Sequence, residues 1–200
     1  MAKTALNATP VVKIRGAAID DEYVQRLADA RFFDELGASA SATLRFADPL
    51  FELFSGNFAK INDSVEFSIA DETGKKVRLF RGVIVGVAID QGFSESHQLV
   101  ITAYDQSNKL SRLESPKAHL NVSPAELIRK IAKRNGLTAK VSIPTVQLDY
   151  FMEIDNDQTT LDFLAARLGF EWWVEDKKLV VQPPKLQSAL RLTWRESLTN

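Results

Sequence analysis

The chain holds two histidines, His97 and His119, and no cysteine. A metal site would need the histidines close in sequence, or inside a carboxylate-rich cluster with ligand spacing. They are neither, which leaves one histidine in a strand and one before a loop. The acidic run E-I-D-N-D, Glu153 to Asp157, carries a D-x-D element at Asp155 and Asp157. A calcium loop also needs further oxygen ligands at set intervals and a turn glycine, and that glycine is missing. The run reads instead as a solvated loop followed by helix-start carboxylates, with Asp157 and Asp162 where a helix dipole favours negative charge. Ser94 and Ser96, in G-F-S-E-S-H, lack the second glycine and the strand-to-helix elbow of a nucleophilic serine. No phosphate loop of the G-x-x-x-x-G-K-S/T type occurs. A cell-wall lysozyme would need two carboxylates across a cleft, and no sequence feature pairs them. The expectation is therefore a protein that is not an enzyme, with no catalytic residue, metal or cofactor.

The residues left over serve for contact. Trp172 and Trp173 are adjacent, so on a strand they face opposite ways. One is expected in the core, and the other is free to cover a sugar, a partner protein or the neighbouring domain, with core or interface packing the favoured role for both.

Composition agrees with a contact protein. Basic residues number 25 and acidic residues 26 over 200 positions. A net charge near zero argues against nucleic acid or an anionic membrane as partner. No apolar run approaches the roughly 20 residues that span a bilayer. The N-terminal stretch does not read as a signal peptide, so synthesis and folding are expected in the cytosol.

The elements that position these residues divide at about residue 112. Before it the chain reads as strands. Ala42, Leu44 and Phe46 alternate with Thr43 and Arg45, the period of a half-buried strand. D-P-L-F-E-L-F-S-G predicts a short helix from Pro49 to Phe54, with Asp48 able to cap it. Tyr23 to Phe32 fits either a helix turn or an irregular strand. D-E-T-G-K, Asp71 to Lys75, reads as a turn. The long β-branched run Val77 to Asp90 is interrupted by Gly82 and Gly86, as at bulges and barrel corners. These signals predict a small β-barrel or sandwich.

After residue 112 helices appear. S-P-A-E-L-I-R-K-I-A-K-R-N-G-L, Ser123 to Leu137, carries an N-cap serine, a first-position proline, a capping-box Glu126 and a terminal Gly136. Leu127, Ile128, Ile131 and Ala132 form its apolar face, while Lys130, Lys133 and Arg134 are expected to face solvent. A second helix starts near Thr159 or Thr160 and ends at Gly169. The hairpin F-E-W-W-V/E-D-K/K-L-V-V-Q follows directly. The expected fold is β-rich α+β: a small β-barrel domain over 1–112, then a smaller α/β domain over 113–184 with two short helices and a C-terminal hairpin. Residues 185–200 alternate again, in A-L-R-L-T-W-R, and are expected to open a further strand of a longer protein, returning to a barrel.

Four stretches occur in a telling order. They are L-F-R-G-V-I-V-G-V (Leu79 to Val87), A-Y-D-Q-S-N-K-L-S-R (Ala103 to Arg112), the helix S-P-A-E-L-I-R-K-I-A, and D-Q-T-T-L-D-F-L-A-A-R-L-G-F-E-W-W-V-E-D-K-K-L-V-V. As a set, spanning about Val11 to Pro184, they resemble the phage late control D protein and VgrG-type tail baseplate hub family of contractile tails and contractile injection systems. The resemblance implies a structural protein of virion assembly: a homotrimeric hub whose small barrels form a pseudo-hexameric ring that adapts a trimeric spike to the six-fold tail tube. The partners it implies are the tail tube protein, a spike protein or C-terminal spike domain, and other baseplate proteins. Localisation would move from the cytoplasm to the virion tail or injection particle. The residues assigned to the interface are Arg78, Leu79, Phe80, Arg81, Trp172 and Trp173. Two alternatives stand beside it: a peptidoglycan-binding module, because Ser123 to Leu137 resembles the first helix of a LysM repeat, and a tail-associated lysozyme.

Overall fold

The computed structural model describes residues 9–70, 75–91, 97–112 and 116–185. The turn read at Asp71 to Lys75 lies largely outside these residues, and Ser94, Ser96 and the strand read in A-L-R-L-T-W-R lie wholly outside them.

Seven strands make the first sheet: β1 (Thr9–Ile14), β2 (Ala17–Ala18), β3 (Leu27–Phe33), β4 (Ser41–Ala47), β5 (Ser64–Ala70), β6 (Lys76–Gln91) and β7 (His97–Tyr104). Their order is β2-β1-β5-β6-β7-β4-β3. Each pairing is antiparallel. One face of the sheet is apolar because the period-two pattern aims Val12, Leu44, Phe46, Phe67, Ile84 and Ile101 the same way, into one buried cluster.

The expected barrel is not there. Among the described residues the sheet is open, with β2 and β3 as its two edges and no pairing between them. Closure needs a hydrogen-bonded seam, and β2, two exposed residues long, offers almost none. The glycines that suggested barrel corners have local roles instead. A Cβ on Gly82 would stand 2.3 Å from the carbonyl oxygen of Tyr104, so this position admits a close approach of β7 to β6. Register shifts between Ile84 and Gly86, and opposite Phe67 and Ser68, make β6 bulge twice. Bulges bend a strand and raise its twist without joining the sheet's edges.

Between the strands, Tyr23 to Phe32 resolves into both of its readings: α1 (Asp21–Gln25), then β3. The helix expected at Pro49 starts later, as α2 (Glu52–Ser55), because Phe51 takes φ 58° and breaks any helix begun at Pro49. Asp48 does cap it. Its buried carboxylate accepts from the N–H groups of Leu53 and Phe54, both at 3.0 Å.

A 3₁₀ turn over Gln106–Ser111 leads to the second core. Here β8 (Ala118–Val122) pairs with β10 (Leu148–Met152) as a two-stranded ribbon. A three-stranded sheet has the order β11 (Glu171–Glu175), β12 (Lys178–Gln182), β9 (Thr138–Val141), with β12 parallel to β9. The helices are α3 (Pro124–Arg134) and α4 (Asp157–Leu168).

Helix α3 forms where its punctuation places it. Ser123 Oγ accepts from Glu126 N–H, and the Glu126 carboxylate accepts from Ser123 N–H at 3.1 Å. Gly136, at φ 68°, lets Leu137 N–H return to the Ala132 carbonyl at 2.8 Å. Leu127, Ile128, Ile131 and Ala132 are buried with Leu161, Leu164, Trp172, Leu179 and Val181 in one cluster. Helix α4 starts two or three residues earlier than the threonines suggested, at Asp157. Its cap is Asn156, whose side chain accepts from Thr159 N–H at 2.8 Å.

Candidate interaction surface

Strand β6 is long enough to have two different neighbours. Lys76 to Val83 pair with β5, and Val83 to Gln91 pair with β7. Its first half faces the turn of the β11–β12 hairpin, where Asp176 sits at φ 54°. The Arg78 guanidinium donates to the Asp176 carboxylate at 3.0 Å. Arg81 lies 3.6 Å from the same carboxylate and 4.0 Å from Glu66. Leu79 is the residue skipped at the bulge and leaves 46% of its surface exposed. Phe80 is buried in the first core, its ring 6.2 Å from that of Phe32.

Two adjoining grooves follow from this arrangement. One, of about 170 Å³, is lined by Arg78, Leu79, Phe80, Arg81, Val174 and Asp176 among others. The second, of about 450 Å³, has Leu36, Trp173 and Lys185 in its walls. Asp34, Asp105 and Val174 border both. Burial pushes the Asp105 carboxyl above the usual range, and Asp34 pushes it the same way. Hydrogen bonds from the Ser107 hydroxyl and N–H oppose that shift.

The tryptophans divide as strand geometry requires. Trp172 is buried, and its indole Nε1 donates to Asp162 at 2.8 Å. Trp173 is half-buried in the larger groove. The structure thus gathers Arg78, Leu79, Phe80, Arg81 and Trp173 around adjoining grooves and puts Trp172 apart, in the second core. What these grooves offer is contact chemistry: apolar area beside paired charges.

The sequence reading missed one constellation. Arg134 does not face solvent. It donates to both Glu153 oxygens, at 3.0 and 3.1 Å, and to both oxygens of Asp157, one of them at 2.8 Å from Nε. Glu153 and Asp157 are 5% and 2% exposed, not solvated. His119 Nε2 meets Glu153 at 2.8 Å, and Asn135 donates to Asp157 at 2.6 Å. Hydrogen bonds to Asp157 hold the Arg134 guanidinium well above its ordinary pKa. The available signal was spacing: Arg134 follows Leu127 and Ile131 on the inward stripe of α3. The network ties the ribbon, α3 and the start of α4 together. Among the described residues no group of three or more His, Asp or Glu side chains is placed to hold a metal ion. His97 stacks on Phe51 with ring centroids 4.5 Å apart. Among the described residues no helix is long and apolar enough to cross a membrane.

Comparison with known proteins extends this picture. A family model described as the Alg8 N-terminal domain matches residues 65–200, from β5 onward. The chain belongs to the Alg8 N-terminal domain family. No curated protein matches the sequence. Among solved structures, this Alg8 N-terminal domain protein is similar to the 43 kDa tail protein of prophage MuSo2 from Shewanella oneidensis. The TM-score is 0.61 at 14% identity, over 88% of this chain and 54% of that one. It is similar to a tail protein from Neisseria meningitidis, with TM-score 0.62 and 15% identity over 87% of this chain and 51% of that one. It also resembles an E. coli component of the type VI secretion system, with TM-score 0.51 and 11% identity over 88% and 45% of the two chains. The Alg8 N-terminal domain protein therefore shares the fold of phage-tail and type VI proteins, and it spans about half the length of each of these three.

Proposed function

We propose that this chain is a structural, non-catalytic part of a contractile phage tail or phage-tail-like injection system. Within such a particle we assign it to the baseplate hub of the late control D and VgrG type, adapting a trimeric spike to the six-fold tail tube. The observation that supports this reading is the fold shared with two phage tail proteins and a type VI component over most of the chain. In this account the chain works as a hub unit over 1–112, a smaller unit over 113–184 and a further segment over 185–200. It forms a homotrimer in the assembled hub, and its partners are the tube, the spike and other baseplate proteins. It is made in the bacterial cytoplasm and ends in the particle.

The hub contacts are assigned to the adjoining grooves, with Leu79 and Trp173 as apolar anchors and Arg78 and Arg81 as the charged rim. A symmetry adaptor needs broad, rigid contact surfaces, and aromatic and arginine side chains carry such interfaces. The peptidoglycan-binding reading has less support, since β9 and β10 intervene between α3 and α4. The test is genetic. In a host deleted for this gene, particle yield should fall to background and return with the wild-type copy. It should return only partly with Leu79→Asp/Trp173→Ala, provided that the purified double variant still unfolds cooperatively. Full yield from that variant would remove the grooves from the interface, and full yield from the deletion would remove the chain from the particle.

A further inference from the structure

Strand β8 has one partner and two sides. On one side it pairs with β10, Leu120 opposite Tyr150 and Ala118 opposite Met152. On the other, among the described residues, it pairs with no strand. The strand also lines a groove of about 470 Å³, together with Glu126, Arg129 and Lys130 of α3. Two-stranded ribbons are marginal alone, and unpaired strand edges are templates for another strand.

The walls specify what would fit. Leu120, which lines the groove, is 73% exposed, so one face of an added strand meets apolar surface. Across the groove, Arg129 and Lys130 are exposed and act on Glu126 through their charge, and Lys133 adds a third cation to α3. The one anion in the lining, Glu126, is already turned onto Ser123 N–H at 3.1 Å. We propose that the β8–α3 groove binds an extended, acidic segment of a partner protein as a third strand of the ribbon. Backbone hydrogen bonds to β8 would provide affinity. Alternating apolar and acidic side chains would provide selectivity, the apolar ones beside Leu120 and the carboxylates beside Arg129 and Lys130. This inference stands on the ribbon and α3, independently of the particle in which the chain works.

The probe is a capped eight-residue peptide of alternating glutamate and valine, with the lysine–valine peptide as control. Binding is read by fluorescence anisotropy at low salt and by amide hydrogen exchange on the full chain. The acidic peptide should bind, slow exchange at Ala118 to Val122, and weaken as salt screens the charges. The lysine peptide, and the acidic peptide on Arg129→Glu/Lys130→Glu, should each bind at least about tenfold more weakly, more than an exposed ion pair alone is worth. Both substitutions are on the solvent face of α3, and thermal unfolding of the variant should match wild type. Equal binding of the two peptides, no binding at millimolar acidic peptide, or protection elsewhere in the chain would overturn the proposal. Protection of β8 that grows with protein concentration alone would also overturn it, because the groove would then belong to a second copy.

Discussion

Gly37 donates its backbone N–H to the carbonyl oxygen of Trp172 at 3.2 Å and so joins the β3–β4 connection of the large sheet to the hairpin of the second core. Its own carbonyl accepts from Gln158 Nε2 at 3.0 Å. Gly37 has φ 75°, a left-handed conformation, and a Cβ there would stand 3.3 Å from the Asp162 carboxylate that holds the Trp172 indole. Gly37→Ala should cost about 1–2 kcal/mol from backbone conformation alone, read as a lower midpoint in urea. Trp172 fluorescence should change with it, since the substitution presses on Asp162.

Arg134 is a stronger case. Replacing it with Met leaves Glu153 and Asp157 buried without their counter-charge, and breaking a buried pair in this way costs about 3–5 kcal/mol. Arg134→Lys should recover only part of that loss, because an ammonium cannot serve both carboxylates with the planar fork of a guanidinium. Equilibrium denaturation of the two variants checks the order.

Two glycines of β6 should separate cleanly. Gly82→Ala drives a methyl into the Tyr104 carbonyl, a backbone atom that moves only if β6 and β7 part. The loss should lie at or above the top of the about 1–3 kcal/mol usual for overpacking. Gly86→Ala meets nothing nearer than Thr102 Cβ at 3.7 Å. It should be neutral, or stabilising by about 0.4–1 kcal/mol through the unfolded chain. Thermal melts of the pair test whether close approach, rather than glycine as such, governs this strand.

Asp105 gives a pH dependence with a definite sign. Burial raises its folded-state pKa. As pH climbs past the ordinary aspartate value of about 3.9, the unfolded chain loses its proton first while the folded chain keeps one. The native state then binds more protons, and this group's contribution to stability falls until pH passes the folded value. Asp105→Asn keeps an acceptor for Ser107 and removes the titration. The stability of the variant relative to wild type should therefore rise as pH climbs above about 4 and then level off. A flat difference would contradict the assignment.

Arg78 and Arg81 have a partner inside the chain, which sharpens their test. Exposed pairs such as Arg78–Asp176 stabilise by about 0–1 kcal/mol, so Arg78→Glu should barely lower the melting temperature. If the rim contacts a neighbouring hub protein, Arg78→Glu should reduce particle yield, and adding Asp176→Arg should restore the internal pair without restoring yield. Recovery of yield by the swap would limit the role of Arg78 to the hairpin turn.

Local chemistry in this sequence was readable where a few adjacent residues decide it. The capping box at Ser123, the left-handed glycines 136 and 169 and the opposite-facing tryptophans all sit where their spacing puts them. Facts that depend on distant partners were not readable. Glycines in β6 predicted curvature, but whether two edges meet depends on the length of β2 and the order of all the strands. Likewise E-I-D-N-D reads as solvated until α3 turns Arg134 inward, and the grooves exist only because the β11–β12 turn returns to β6. Arg78 to Arg81 and Trp173 lie in two separate stretches of sequence, and their meeting around adjoining grooves belongs to the tertiary fold.

The most direct measurement is the position of this protein in its particle. The full-length gene product, tagged and expressed from its own locus, is labelled with gold and imaged in negative stain. The account predicts label at one end only of sheathed, tubular particles. Label along the tube, or free protein with no tube or baseplate partner while particles are being made, would contradict it.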